Sequence, residues 1–180
     1  SILCCALQDV MDGKLSLDQP PTIAPADFRS DTEVFEPGYR QDGASLWEML
    51  YWMIVASDNT ATNTVISLLG YDHVNQYCRA IGLTQTSLQR KMLDFQAIAE
   101  GRNNYTSPAD LYRVFSLLYH GEILDKPLRE VAFDFLSRCR STDALQRYIP
   151  DAVTVLHKPG GLDHLNHDVG IFLTDDRPYY

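Results

Sequence analysis

Trp52-Met53-Ile54-Val55-Ala56-Ser57-Asp58-Asn59-Thr60-Ala61-Thr62-Asn63 is the stretch on which the reading of this chain turns. An apolar, helix-like run ends at Ala56, and Val65-Ile66-Ser67-Leu68-Leu69 opens another shortly after. Between them stand Ser57, Asp58 and Asn59. Residues of these types are preferred helix N-caps, because their side-chain oxygens accept from the amides that a helix start leaves without partners. Alone, the triplet reads as a plain cap. A second stretch changes that reading. His157-Lys158-Pro159-Gly160-Gly161 lies far downstream between two strand-like runs, and it adds a cation and paired glycines.

The 180 residues suffice for one substantial core or two small layers sharing an interface. Hydrophobic residues make up 45% and charged residues 22%, which fits a globular protein. A net charge of −9 argues against non-specific nucleic-acid binding and against anionic membrane surfaces, since both need clustered Lys and Arg. No apolar run has the length of a membrane-spanning helix, and no signal peptide opens the chain, which mature exported proteins lack anyway. Adjacent Cys4 and Cys5 read as small buried hydrophobes. With Cys78 and Cys139 they have neither zinc-ligand spacing nor the density of a disulfide scaffold, so the redox compartment stays open.

Residues 1–12 form an apolar helical run that Gly13 ends; it begins without a cap and looks cut. Residues 18–43, with Pro20, Pro21, Pro25, Pro37, Gly38 and Gly43, read as surface loop. Ser45 and Glu48 form a capping box for a helix carrying Leu46, Met49, Leu50, Met53 and Ile54, expected to be the central buried one. A helix from Asn63 to Leu69 follows, then one capped by Asp72 and ended by Gly82. Residues 84–106 hold no long element and read as a long functional loop. Ser107-Pro108 and Lys126-Pro127 each open a helix. Strands come last, at 152–156 and 169–173, with Tyr179-Tyr180 as the first step of a third. A two-stranded hairpin is unstable alone, so this end also looks cut.

The Ser-Asp-Asn turn and the downstream Lys-x-Gly resemble the penicillin-recognising serine hydrolases, the class A β-lactamases and D-alanyl-D-alanine peptidases. Those enzymes are known by three motifs: Ser-x-x-Lys, Ser-Asp-Asn and Lys-Thr-Gly. The resemblance runs along nearly the whole chain, through Asp12-Gly13, Ser57 to Asn63, Asn104-Tyr105-Thr106-Ser107-Pro108 and His167-Asp168-Val169-Gly170-Ile171. It implies an α+β fold, a helical region over 1–150 packed on an incomplete antiparallel sheet whose hairpin occupies 151–180. It also implies roles. A serine is acylated while a neighbouring lysine of lowered pKa takes its proton. Lys158 faces the substrate carboxylate and supplies nearby positive charge; Ser57 relays the proton to the leaving nitrogen. Asn59 donates to the substrate side-chain amide and holds the catalytic lysine. The Gly161 N–H serves the oxyanion, and Gly160 and Gly161 let an extended substrate lie along the strand.

Three departures qualify the match. No Ser-x-x-Lys occurs in these residues, and alignment on Asp12-Gly13 puts the family lysine just before Ser1, with the nucleophile further upstream. Ser1 is not that nucleophile, because Cys4 stands where its lysine should be. As given, the chain lacks acylation machinery. Second, the class A pattern places a Glu in the 88–105 loop to activate the deacylating water. Here the stretch is Arg90-Lys91-Met92-Leu93-Asp94-Phe95, with Asp94 the nearest acid. Asp94 is the candidate base; alternatively it caps a helix or pairs with Arg90. Third, Pro159 replaces the threonine of Lys-Thr-Gly, removing a carboxylate-binding hydroxyl and a ladder N–H.

No metal or cofactor is expected: Asp163, His164, His167 and Asp168 read as solvated hairpin residues rather than ligands. His157 reads as strand-end packing before a pH-sensitive charge, and the tyrosines as aromatic packing. A Cys–His nucleophile at Cys4 or Cys5 is discounted, since both sit on an apolar helix face. The expected function is a β-lactamase-like serine hydrolase with an acyl-enzyme mechanism on β-lactam amides. Alternatives are a D-alanyl-D-alanine peptidase or related amidase or esterase, or a non-catalytic relative. Expected substrates are β-lactams or peptidoglycan-type peptides, in an exported, periplasmic or extracellular setting; nucleic-acid and membrane-spanning roles are not. An open strand edge predicts self-association of the 180-residue chain. Light scattering of purified chain tests it, and a clean monomer removes it.

Overall fold

A computed structural model describes residues 1–30, 34, 35, 43–140 and 144–180. Pro37 and Gly38 of the expected loop lie outside these described residues. In chain order the elements are α1 (Ile2–Met11), a single 3-10 turn (Pro25–Asp27), α2 (Leu46–Val55), α3 (Asn59–Leu69), α4 (Tyr71–Ala80), the short α5 (Phe95–Ala99), α6 (Pro108–His120), α7 (Lys126–Ser137), β1 (Thr154–Leu162) and β2 (Leu165–Leu173). The helices pack against one face of an antiparallel β1–β2 pair, with α7 on β1 and α6 on β2. Leu156 and Ile171 of the hairpin belong to the same buried cluster as Leu7, Leu50, Ile66 and Phe135 of the helices.

Local chemistry accounts for most boundaries. The expected capping box is present: Ser45 Oγ accepts from Glu48 N at 3.3 Å while Glu48 Oε2 accepts from Ser45 N at 3.1 Å. Ser107 Oγ accepts from Asp110 N ahead of Pro108, and Gly121, at φ 73°, ends α6 in the left-handed conformation. α4 departs from expectation. It starts at Tyr71 directly after Gly70, with no side-chain cap, so Asp72 lies inside its first turn, where its charge favours the positive helix end. The strands are also longer than their β-forming residues suggest. Pairing runs from Thr154↔Leu173 to Leu162↔Leu165, carrying Pro159, Gly160 and Gly161 inside β1 and leaving Asp163-His164 as a two-residue turn. His164, the second residue of that turn, takes φ 62°. Tyr179 pairs with Phe172 in an isolated bridge, so the expected third strand is present only as a contact.

The centre of the fold is not α2 alone. Seven consecutive residues of α3, Thr60 to Ile66, are buried, and four of them are polar. Burial of polar groups is tolerable only when each finds a partner. Thr62 and Thr64 donate to the carbonyls of Asp58 and Thr60, at 2.8 and 2.9 Å. Thr60 Oγ1 accepts from Arg29 N, and Asn63 Oδ1 from Met92 N at 2.7 Å. Ahead of them Asp58, 1% exposed, caps the helix through Ala61 N at 2.8 Å. Its other oxygen accepts from Val34 N and Phe35 N. Replacing Asp58 by alanine leaves three amides without that acceptor. It is expected to destabilise the fold by about 2–4 kcal/mol, from cap loss plus buried unsatisfied donors. Chemical denaturation measures it, and a loss within experimental error would show that water replaces the carboxylate.

Candidate active site

After α2 the chain turns sharply to enter α3. Ser57 takes φ 55°, unusual for a residue with a side chain, while Asp58 N donates to Trp52 O at 3.1 Å and closes the turn. The division of labour within the triplet is therefore explicit. Asp58 is the cap, Asn59 is the first helical residue, and Ser57 is lifted out, exposed, at the mouth of a cleft. Across that mouth Lys158 of β1 donates from Nζ to Ser57 Oγ, and to Pro159 O at 2.8 Å. The two motifs singled out in the sequence, 101 residues apart, meet at this hydrogen bond.

The cleft holds about 570 Å³. Ser57, Asn59, Lys158, Gly160 and Gly161 form its polar end, and Met53, Val114, Phe115 and Leu118 its apolar wall. Gly160 meets nothing where a Cβ would stand, whereas a Cβ at Gly161 would come within 3.1 Å of Asn166 Oδ1. Burial pushes the Lys158 ammonium below the usual lysine value, against the opposing influence of Cys139 and Asp168. Among the described residues no carboxylate lies within ion-pair distance of it. A half-buried cation bonded only to neutral oxygens is suited to an incoming anion.

Behind Lys158, the His157 side chain is 1% exposed and points to the core face. Its Nδ1 lies 3.1 Å from both Asp168 oxygens. Asp168 also accepts from Leu145 N at 3.1 Å, so the pair fastens the hairpin to the preceding loop. His157 packs into the core as expected, but inside β1 and not at its end, because the strand continues to Leu162. Gly170 makes this packing possible, because a Cβ there would stand 2.6 Å from His157 Cβ.

The loop between α4 and α6 forms the other side of the cleft. It is closed at its base by the Ser87↔Tyr105 bridge and braced by Asn104, whose Oδ1 accepts from Gln89 N and Arg90 N. Asn63 on α3 grips it at Met92, and Lys91 pairs with the buried Asp27. Met92 and Leu93 line the cleft, Leu93 with φ 57°. Asp94 is not among the lining residues. It caps α5, its Oδ1 accepting from Ala97 N at 3.0 Å. Of the alternatives raised for Asp94, the cap is the one formed. Arg90 bonds instead to Asn103 Oδ1 and Lys91 O.

Sequence reasoning missed Met92, Leu93, Thr62 and Asn104 as cleft residues. Thr62 and Asn104 lie in stretches that carry the family resemblance, Ser57 to Asn63 and Asn104 to Pro108, whereas Met92 and Leu93 carry no such signal. All four cysteines are buried free thiols, and burial raises Cys4 above the usual thiol value. The hairpin residues Asp163, His164, His167 and Asp168 do not gather three ligand atoms within metal-holding distance among the described residues.

Comparison with known proteins bears on this geometry. A profile described as the Beta-lactamase enzyme family matches residues 1–180. Beta-lactamase FAR-1 of Nocardia farcinica (strain IFM 10152) is 28% identical over 137 residues, 74% of this chain and 44% of that protein. A beta-lactamase of Streptomyces cellulosae is 32% identical over 110 residues, 59% of this chain and 35% of that protein. The chain thus spans less than half the length of these curated relatives. Among solved structures, PBP-A superposes with a TM-score of 0.89 at 26% identity, covering 98% of this chain and 65% of that chain. A PBP-A mutant described as an acyl-enzyme complex with penicillin G matches with the same TM-score and identity, over 66% of that chain. A variant of the last common ancestor of Gram-negative class A β-lactamases gives 0.87 at 27%, covering 98% and 68%.

The lowered Lys158 value has a pH consequence. A depressed folded-state pKa means that burial penalises the charged form, so the penalty is full at neutral pH and fades as pH rises towards the unfolded value of 10.5. Wild type should therefore gain stability relative to Lys158→Met between neutral pH and 10.5. Paired denaturant melts across that range measure the gap, and a constant gap would refute the desolvation account.

Proposed function

Because the chain belongs to the Beta-lactamase enzyme family, we propose that its cleft takes part in serine acyl transfer on β-lactam amides through a covalent acyl-enzyme. The observation that carries this reading is the Lys158–Ser57 hydrogen bond. It joins the Ser-Asp-Asn turn to the Lys-x-Gly strand at the polar end of an otherwise apolar cleft. On this reading Lys158 attracts the substrate carboxylate, and Ser57 passes a proton to the leaving nitrogen. Asn59 orients the substrate amide, and Gly161 N–H stabilises the oxyanion beside the strand edge at Gly160. No Ser-x-x-Lys lies in these residues, so the reading needs the acylated serine and its lysine from outside them. The exported setting, periplasmic or extracellular, rests on family membership.

One observation favours slow hydrolysis of the acyl-enzyme, as in a penicillin-binding peptidase. The loop meets the cleft with Met92 and Leu93, while the Asp94 carboxylate is held in the α5 cap. A deacylating water needs a base within hydrogen-bond reach. Similarity to PBP-A, whose mutant is described as a penicillin G acyl-enzyme, agrees with this.

Time-resolved intact mass spectrometry of the full-length polypeptide with a penicillin tests both steps. A one-penicillin adduct is expected to form and to persist for minutes or longer. Absence of any adduct would overturn the acyl-transfer reading, and decay within seconds would make the protein an efficient β-lactamase. Asp94→Asn should alter the adduct lifetime less than about twofold, because a cap amide keeps the hydrogen bond to Ala97 N. Lengthening by tenfold or more would restore Asp94 as the base.

A further inference from the structure

Away from the cleft, Cys5 and Asp9 project from one face of α1, one helical turn apart, towards His73 on α4. His73 Nε2 lies 2.7 Å from Asp9 Oδ2, and the Cys5 Sγ, Asp9 carboxylate oxygen and His73 ring nitrogen all fall within 4.8 Å of one another. Cys5 is 1% exposed and Asp9 5%. The His73 side chain is 39% exposed and connects the group to solvent.

From this geometry we propose that Cys5, Asp9 and His73 form a binding site for a borderline-soft divalent transition-metal ion, of which zinc is the type. A thiolate, an imidazole nitrogen and a carboxylate oxygen are the donors zinc takes, at about 2.0–2.3 Å, with a fourth position left for water. Such bond lengths separate ligand atoms in a tetrahedron by about 3.3–3.8 Å. The site is reached when His73 withdraws slightly from Asp9 and Cys5 turns towards both. On binding, the Cys5 S–H bond breaks, its proton leaves to solvent, and bonds form from the ion to sulfur, oxygen and nitrogen. No electron is transferred. Thiolate and carboxylate together balance the ion's two positive charges.

The surroundings suit the assignment. Lys14 Nζ holds the other Asp9 oxygen, Oδ1, at 3.2 Å, which orients the carboxylate and leaves Oδ2 for the ion. A plain ion pair among His73, Asp9 and Lys14 would give the neighbouring thiol no part. The same helix presents Ile2 and Cys4 to the cleft, so an ion here would tie α4 to a helix that lines the cleft.

Cobalt(II) is the probe, because its thiolate complexes show a near-ultraviolet charge-transfer band that oxygen and nitrogen ligands do not give. Titrating the purified protein with cobalt(II) should produce that band, and zinc should then abolish it by displacement. Cys5→Ser should remove the band. His73→Gln, at a partly exposed position that leaves the core intact, should weaken cobalt binding at least tenfold while its melt in chelator matches wild type. No charge-transfer band in wild type would overturn the proposal. So would a band surviving in Cys5→Ser, or wild-type affinity in His73→Gln. None of these readouts involves a penicillin, so the outcome is independent of the acyl-transfer reading.

Discussion

Asp58 sits where three parts of the structure must agree. Its carboxylate starts α3 and receives the amides of Val34 and Phe35, and its backbone closes the turn that lifts Ser57 outward. A buried carboxylate is stable only with its acceptor capacity filled. Helix start, loop path and the conformation of Ser57 are therefore set together. The same logic continues along α3. Its buried Thr and Asn residues need partners, and Arg29, Asp27 and Met92 supply them from segments that would otherwise be loosely tethered. A polar helix in the middle of the helical region thus acts as the fixture to which the surrounding loops are fastened.

That arrangement explains how a cleft forms from segments distant in the chain. α3 positions Asn59 and Thr62 directly, and positions Met92 at second hand through Asn63. The hairpin brings Lys158 from the opposite side. His157, next along β1, faces the core and anchors the strand through Asp168. Alternation along a strand separates the two jobs: one residue fastens, and its neighbour faces the cleft.

Much of this was legible in the sequence. The capping box at Ser45, the proline-opened α6 and α7, and the glycine stops at Gly13 and Gly82 are local signals, and local chemistry decided those boundaries. Ser57, Asn59 and Lys158 could be singled out by motif, and the structure brings them to one cleft. Strand length was not legible, because Pro159, Gly160 and Gly161 have little β preference and extend β1 only by pairing with β2. Nor was the burial of the first turns of α3, where Thr60, Thr62, Asn63 and Thr64 resemble a surface helix until their loop partners are known. Asp94 shows the same limit. Residue type alone does not separate a helix cap from a catalytic carboxylate, and the cap that Asp94 forms depends on a turn of backbone that sequence does not display. The Cys5–Asp9–His73 group was hidden because its third member lies on another helix.

The hairpin has one further property, best put in mechanical terms. Its root is clamped, with Val155, Leu156 and His157 buried in β1 and Gly170 and Ile171 in β2, while every residue from Gly160 to His167 is exposed. It is a cantilever fixed at one end. Bending displacement in such a beam is small near the support and grows steeply towards the tip. Lys158 adjoins the support and Gly161 lies about 10 Å further out at the usual rise per residue. Asp163 and His164 form the free end. The hairpin tip can therefore change length or sequence across relatives with little disturbance to Lys158, whose position is governed by the clamp and not by the turn.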